Sequence, residues 1–171
     1  MAILVTYASR HGSTHSIADY LAQQLRQQGK EVDLCPVETI KATEDLTPYE
    51  AVVLGSAIYF GAWRKEAVEF VRRHQQILAE LPVWLFSVGP LGPEMNTAQE
   101  LPKDVVEFQQ TIHPRGYRTF AGVLDPQVLS FPERLVTKAI HAPIGDFRDW
   151  KSVEKWAESI AHDLTLTEAK P

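Results

Sequence analysis

In the stretch Ile3-Leu-Val-Thr-Tyr-Ala-Ser-Arg-His-Gly-Ser-Thr14, a run of apolar residues gives way to a polar loop. Ile3, Leu4 and Val5 are continuous, as in a strand covered on both faces. Helical spacing follows at Ile17, Ala18, Leu21, Ala22 and Leu25, and Gly29 is placed to end that helix. Between strand and helix lie Ser9, Arg10, His11, Gly12, Ser13 and Thr14. Each of them can donate a hydrogen bond from side chain or backbone. Gly12 lets the chain turn tightly or approach a ligand closely. A helix opening near Ser13 aims unpaired N–H groups, and the positive end of its dipole, back at the loop. That chemistry suits an anion, above all a phosphate. Ser13 as a simple N-cap and Gly12 as a turn residue also account for the composition. The loop has no G-x-G-x-x-G, and no Lys follows its glycine as in a nucleoside-triphosphate loop. Hydroxyls and amides alone suit a single terminal phosphate.

The other apolar runs repeat the theme. Glu31 to Cys35 reads as a weaker strand nearer an edge, and Val37 to Leu46 as a punctuated segment with a short helical turn. Ala51 to Gly55 is a buried strand, followed by helical spacing at Ala67, Val68, Phe70, Val71 and Ile77. Val83 to Val88 is a strand opened by Pro82, and Glu100 to Ile112 a helix. Tyr117 to Leu124 is a fifth strand. Residues 125–149 are an insertion with a short amphipathic helix at about 132–141. Trp150 to Leu164 closes the chain as a helix, leaving 165–171 as a frayed tail. Alternating strands and helices specify an α/β fold, a parallel sheet with helices on both faces. At 171 residues the chain reads as one domain, 1–171, with no internal repeat.

Composition narrows the partners. A net charge of −5 argues against nucleic acid. The one cysteine, Cys35, excludes a disulfide framework and reads as a buried thiol at a strand end. No run is long and apolar enough to span a membrane, and the N-terminus enters a core strand without a signal peptide, so a cytoplasmic location is the default. His11 and His15 have no companion ligands, so no metal site is expected. No Ser/His/Asp arrangement stands out either.

Ligands of a doubly wound sheet sit beyond the carboxyl ends of its strands. Three loops fall at that rim: Ser9–Thr14, Ser56–Gly61 and Ser87–Gly92. The second holds Ser56, Ala57, Ile58, Tyr59, Phe60 and Gly61, with Trp63 beyond. Tyr59 is the first choice for a wall against a flat ring, while Phe60 and Trp63 have the alternative of facing the core. The third holds Ser87, Val88, Gly89, Pro90, Leu91 and Gly92, where glycines admit close approach and Pro90 limits the chain's freedom. Its backbone groups suit the polar edge of a heterocycle. A phosphate loop, an aromatic wall and a backbone edge-reader together describe a site for FMN. The flavin ring would then be the reactive group, with no catalytic side chain. Arg10 either complements the phosphate or lies in solvent.

The loop Ser9-Arg-His-Gly-Ser-Thr14 resembles the flavodoxin phosphate loop, Thr/Ser-x-Thr-Gly-x-Thr, matching at Ser9, Gly12 and Thr14 and departing at His11. The resemblance implies a flavodoxin-like three-layer sandwich with five parallel strands in the order 2-1-3-4-5, an order carried over from flavodoxins rather than read from these residues. The chain is further similar to the flavodoxin-like family of menaquinone-dependent protoporphyrinogen dehydrogenases, at Gly55-Ser-Ala-Ile-Tyr-Phe-Gly61, Phe86-Ser-Val88, Phe120-Ala-Gly-Val-Leu124 and the Asp149-Trp150 helix. This implies an FMN-dependent oxidoreductase with protoporphyrinogen as donor and a quinone as acceptor, contributing to porphyrin biosynthesis. The alternative is a flavodoxin-type electron carrier that docks on a redox partner protein and has no substrate of its own. In the insertion, Phe131, Leu135, Val136, Ala139 and Ile140 form an apolar face flanked by Arg134 and Lys138. This helix either packs over the sheet edge or caps an apolar, anionic substrate. In the second case Arg134 and Lys138 would meet carboxylates, or lipid headgroups in a peripheral contact with the inner face of a membrane.

Overall fold

Strand β1 (Ala2–Ala8) lies between two parallel neighbours, β2 (Val32–Pro36) and β3 (Tyr49–Tyr59), and its two faces enter two separate cores, which is why its apolar residues run without alternation. In this computed structural model the described residues are 1–10, 12–89, 101–124 and 145–169. The short β4 (Ala62–Trp63) folds back antiparallel on β3. Beyond β3 come β5 (Val83–Gly89) and β6 (Gly116–Ala121), both parallel. The sheet order is β2-β1-β3-β5-β6 with β4 attached to β3. Leaving out the two-residue β4, the long strands follow the expected 2-1-3-4-5 order.

Helices cover both faces. Helix α1 (Ser13–Gln27) lies on one, α2 (Lys65–Arg73), α3 (Gln75–Glu80) and α4 (Lys103–Thr111) on the other, and α5 (Trp150–Glu168) joins α1. Ile17, Leu21 and Leu25 of α1 meet Trp156 and Ile160 of α5 over Ile3, Val5, Val53 and Phe86. Opposite, Phe70, Leu78, Val105 and Phe108 cover Leu4, Val52, Leu54 and Leu85. Alternate residues of each strand thus serve alternate cores.

Several boundaries differ from the sequence reading. The segment before β3 forms two 3-10 turns, Val37–Thr39 and Thr43–Leu46. Strand β3 runs to Tyr59 rather than ending at Gly55, because β4 supplies it with an antiparallel partner. The helix expected through Ile77 breaks at buried His74 into α2 and α3. Helix α4 starts at Lys103, with Pro102 as its N-cap residue. The fifth strand stops at Ala121, and β7 (Val123–Leu124) pairs with β8 (Gly145–Asp146) in a separate ladder. Gly122 is the break: a β-carbon there would lie 3.0 Å from the Gly89 carbonyl oxygen and from Val88. Helix α5 continues to Glu168 instead of fraying at Thr165. Its last turns are tied down by Arg115, which donates to Asp163 and Thr167 at 3.0 Å, and by Lys30 on Glu168 at 3.3 Å. The expected helix near 132–141, with Arg134 and Lys138, lies outside the described residues.

Candidate functional site

The carboxyl ends of β1, β3 and β5 share one rim, and contacts among the described residues tie together the segments after β1 and β3 and the last residue of β5. Helix α1 starts directly after Gly12, which adopts φ 89° and ψ −14°. Apart from its chain neighbours, a β-carbon at Gly12 would have no atom of the described residues within 4 Å, so among these residues the space at the start of the helix is open. Its N-cap residue, being glycine, has no side chain with which to cap the helix. The Gly12 N–H is already used, donating to Ser9 Oγ at 3.1 Å, and the first helical bond runs from Ser16 N–H to the Gly12 carbonyl at 2.9 Å. The N–H groups of the first turn have no carbonyl one turn back to receive them. Thr14 is buried. His11 lies outside the described residues.

The Ser13 hydroxyl accepts from the Val123 N–H at 3.2 Å, and Gly122 N–H donates to the Gly89 carbonyl. These bonds knit α1, the end of β5 and the β6–β7 bend together. Below them Tyr7 stacks on His15 with centroids 5.0 Å apart, and burial, first among its causes, holds the Tyr7 phenol above its ordinary pKa. Arg148 binds the same corner from just beyond β8. Its guanidinium donates to Ser16 Oγ at 3.0 Å, pairs with Asp146 and lies 4.9 Å from the Trp150 ring centroid. The bond to Arg148 keeps the Asp146 carboxyl below the usual carboxylate range.

The second segment is a hairpin rather than an irregular loop. Ile58 pairs with Trp63 and Tyr59 with Ala62, with Phe60 and Gly61 between them. Both turn residues have positive φ, 49° and 73°. This is the pattern of a two-residue primed turn, whose twist suits the flanking strands. Phe60 is 69 % exposed and Tyr59 39 %, and their rings meet edge-on at 4.5 Å. Phe60 therefore does not face the core; Trp63 does. The Arg10 guanidinium lies 5.2 Å from the Tyr59 centroid, close enough for a cation–π contact that bridges the first and second segments.

Ser56 and Ser87 belong to strands, and their hydroxyls turn inward. Ser56 Oγ donates to the Ala57 carbonyl at 2.9 Å and accepts from Arg64 N–H at 3.0 Å. Ser87 is fully buried and accepts from Trp63 and Tyr117. Val88 is buried, Ala57 and Ile58 half-buried. Gly89 ends β5. Pro90, Leu91 and Gly92 lie outside the described residues.

Against known proteins, the Flavodoxin domain family matches residues 4–150. The chain belongs to the flavodoxin domain family. This flavodoxin-domain chain is 28 % identical to the protoporphyrinogen IX dehydrogenase [quinone] of Escherichia coli (strain K12), over 95 % of its own length and 96 % of the relative's. Among solved structures it is similar to the rubredoxin oxygen:oxidoreductase of Desulfovibrio gigas, with TM-score 0.67 and 15 % identity, covering 99 % of this chain but only 37 % of that longer one. It is also similar to oxidised Flavodoxin 2 from Bacillus cereus, with TM-score 0.62 and 25 % identity, over 95 % of this chain and 99 % of that one.

Three residues that shape this rim have no role assigned from the sequence: Gly122, Arg148 and Asp104, whose carboxylate accepts from Trp63 N–H at 3.0 Å. Each acts across a long sequence separation, and only Gly122 carries a signal, as a glycine inside an apolar run. Cys35 is half-buried near the end of β2, and burial raises its thiol pKa. Among the described residues no acidic, histidine and cysteine cluster suited to a metal is present, and no helix is long and apolar enough to cross a membrane.

Proposed function

We propose that this chain binds FMN at the rim and works as an oxidoreductase that takes electrons from protoporphyrinogen and delivers them to a quinone. The observation that supports this most is the neighbourhood of two unlike features. The first turn of α1, which opens at a glycine, stands beside an exposed aromatic turn, and Arg10 bridges them at 5.2 Å from the Tyr59 ring. One feature suits a phosphate and the other a flat conjugated ring. The space open at Gly12 fits the phosphate end of the cofactor.

In this reading the first-turn N–H groups, with Ser9, Ser13 and Thr14, hold the phosphate, and Arg10 offsets its charge. Tyr59 gives the ring its wall. Gly89, with Pro90, Leu91 and Gly92 after it, reads the polar edge of the ring. Bound FMN supplies hydride and single-electron chemistry; the chain binds it, orients it and limits its contact with water. Ser56 and Ser87 have no direct part, since their hydroxyls serve the frame. Arg134 and Lys138 are proposed to receive the carboxylates of the donor. The protein would work in the cytoplasm and meet the quinone at the inner face of a membrane. The porphyrin substrate rests on the name of the Escherichia coli relative, which this chain matches over nearly the whole of both lengths.

The test is anaerobic. FMN-loaded protein is mixed with protoporphyrinogen and then with a menaquinone analogue, and product is followed by porphyrin fluorescence. Turnover with the quinone is the expected result. FMN binding without porphyrinogen turnover, together with electron transfer to a partner protein, would replace the reading with that of a carrier, the activity suggested by similarity to a flavodoxin.

A further inference from the structure

Trp63 is gripped at two points. Its backbone N–H donates to Asp104 Oδ2 at 3.0 Å, and its indole Nε1–H donates to Ser87 Oγ at 2.7 Å. Both acceptors are buried, Asp104 with 6 % of its surface exposed and Ser87 with none. The Tyr117 hydroxyl also donates to Ser87 at 2.7 Å and itself accepts from Thr119 at 3.0 Å. The indole packs edge-on against Phe108 of α4, with centroids 5.5 Å apart. Three elements, β4, β5 and α4, thus meet at this one residue, and β6 joins them through the Ser87 hydroxyl.

Trp63 is also the return leg of the aromatic hairpin, paired with Ile58. Where it sits determines where Tyr59 and Phe60 stand. The turn between them has a bulky residue at φ 49°, a backbone state that L side chains disfavour. Such a residue persists only where its surroundings over-determine it. A nearly buried carboxylate is itself costly unless it holds a donor. The disfavoured turn and the buried acceptors under it are two separate observations, and Trp63 connects them.

We infer that Asp104 and Ser87 are positioning residues that, through Trp63, set the stance of the Tyr59–Phe60 turn against the ring of the bound cofactor. This rests on the FMN reading and adds the element that orients the aromatic wall. Asp104 lies on α4, in the layer opposite α1. Its loss therefore acts on the ring end of the ligand and leaves the phosphate end alone.

The experiment compares FMN with riboflavin, which has the ring but no phosphate. Each is titrated into wild type, Asp104→Ala, Asp104→Asn and Trp63→Phe by quenching of flavin fluorescence. Circular dichroism of the bound flavin bands reports ring stance, and far-ultraviolet dichroism reports folding. Asp104→Ala is expected to weaken both flavins by the same factor, about tenfold, and to alter the flavin bands. Asp104→Asn, which keeps a carbonyl acceptor, should recover most of the loss. Trp63→Phe keeps an aromatic on Phe108 but removes the indole donor, and should change the bands in the same direction. It carries the test should Asp104→Ala fail to fold. Wild-type affinity and unchanged bands in a folded Asp104→Ala or Trp63→Phe would overturn the inference, as would a loss confined to FMN. Wild type that binds neither flavin would overturn the FMN reading itself.

Discussion

The phenyl ring of Phe86 occupies the space a side chain at Gly55, its registered partner on β3, would need. A β-carbon at Gly55 would stand 2.0 Å from Cζ of that ring. Phe86 is fully buried and meets both Phe120 and Trp156 edge-on at 6.0 Å, so the ring has no free direction in which to yield. Gly55→Ala is therefore expected to destabilise the fold by about 1–3 kcal/mol through overpacking. Urea unfolding of the variant checks this. Combining it with Phe86→Leu should cost less than the two single losses added, because the second change opens the space the first one fills. Strict additivity would mean that the ring is not what excludes the methyl group.

His74 gives a prediction about pH. It is buried at the junction of α2 and α3, with Nδ1 3.2 Å from Thr43 Oγ1 and Nε2 without a partner among the described residues. Burial first, and the charge of Arg73 next, hold its pKa below the ordinary value, against the weaker opposing pull of Asp45. The unfolded chain thus takes up this proton at higher pH than the folded one, near pH 6.5. The stability linked to neutral His74 is complete above that point and is lost as pH falls through it towards the folded pKa. Urea midpoints measured from about pH 7.5 down to about pH 5 should decline in wild type and flatten in His74→Asn. The carboxyls of Asp45, Asp146 and Asp149 are all held below the ordinary range, so they titrate beneath this window. An unchanged slope in the variant would assign the decline elsewhere.

These two sites show where the sequence was legible. The β1–loop–α1 unit could be read directly, since Ile3 to Val5 and the spacing of Ile17, Leu21 and Leu25 are local signals of burial. The helices on both faces followed from alternation alone, whereas the strand order came from likeness to flavodoxins. What escaped were features made by contacts across the chain. Tyr59 belongs to a strand only because Ala62 pairs with it. Ser56 and Ser87 look like rim hydroxyls in sequence, yet Arg64, Trp63 and Tyr117 claim them from distant positions. The end of β6 depends on the fit of Gly122 against Gly89 and Val88, which no spacing encodes. Helix α5 outran its apolar pattern because Arg115 and Lys30 hold its last turns.

Gly12 separates the needs of the fold from those of the ligand. At φ 89°, Gly12→Ala meets no clash with the described residues but enters a disfavoured backbone state, at a cost of about 1 kcal/mol. Gly12→Asp has the same backbone cost and adds a negative charge where the phosphate is proposed to sit. The two variants should unfold at similar urea concentrations. FMN binding should survive in Gly12→Ala, weakened, and be abolished in Gly12→Asp. Stoichiometric FMN in purified Gly12→Asp would refute the phosphate assignment.

Phe60 and Tyr59 are neighbours with opposite expectations. Phe60 is 69 % exposed, so its ring contributes little burial to the fold, while its φ of 49° costs what a bulky L residue pays in the left-handed region. Phe60→Gly should therefore stabilise the protein, by about 1 kcal/mol, since glycine takes that conformation without steric penalty. Tyr59 lies in β3 with ordinary pairing to Ala62, so Tyr59→Ala releases no turn strain and should be near-neutral or mildly destabilising. On binding both variants lose aromatic surface. Tyr59→Ala also removes the face that holds the Arg10 guanidinium at 5.2 Å, so it should weaken FMN more than Phe60→Gly does and shift the flavin absorption further. Thermal melts of the unloaded proteins together with flavin titrations read both quantities from the same samples. A rise in stability with weaker FMN binding in Phe60→Gly would mean that the turn is retained for its ligand at the expense of the fold. Unaltered affinity and spectrum in Tyr59→Ala would remove Tyr59 from the wall.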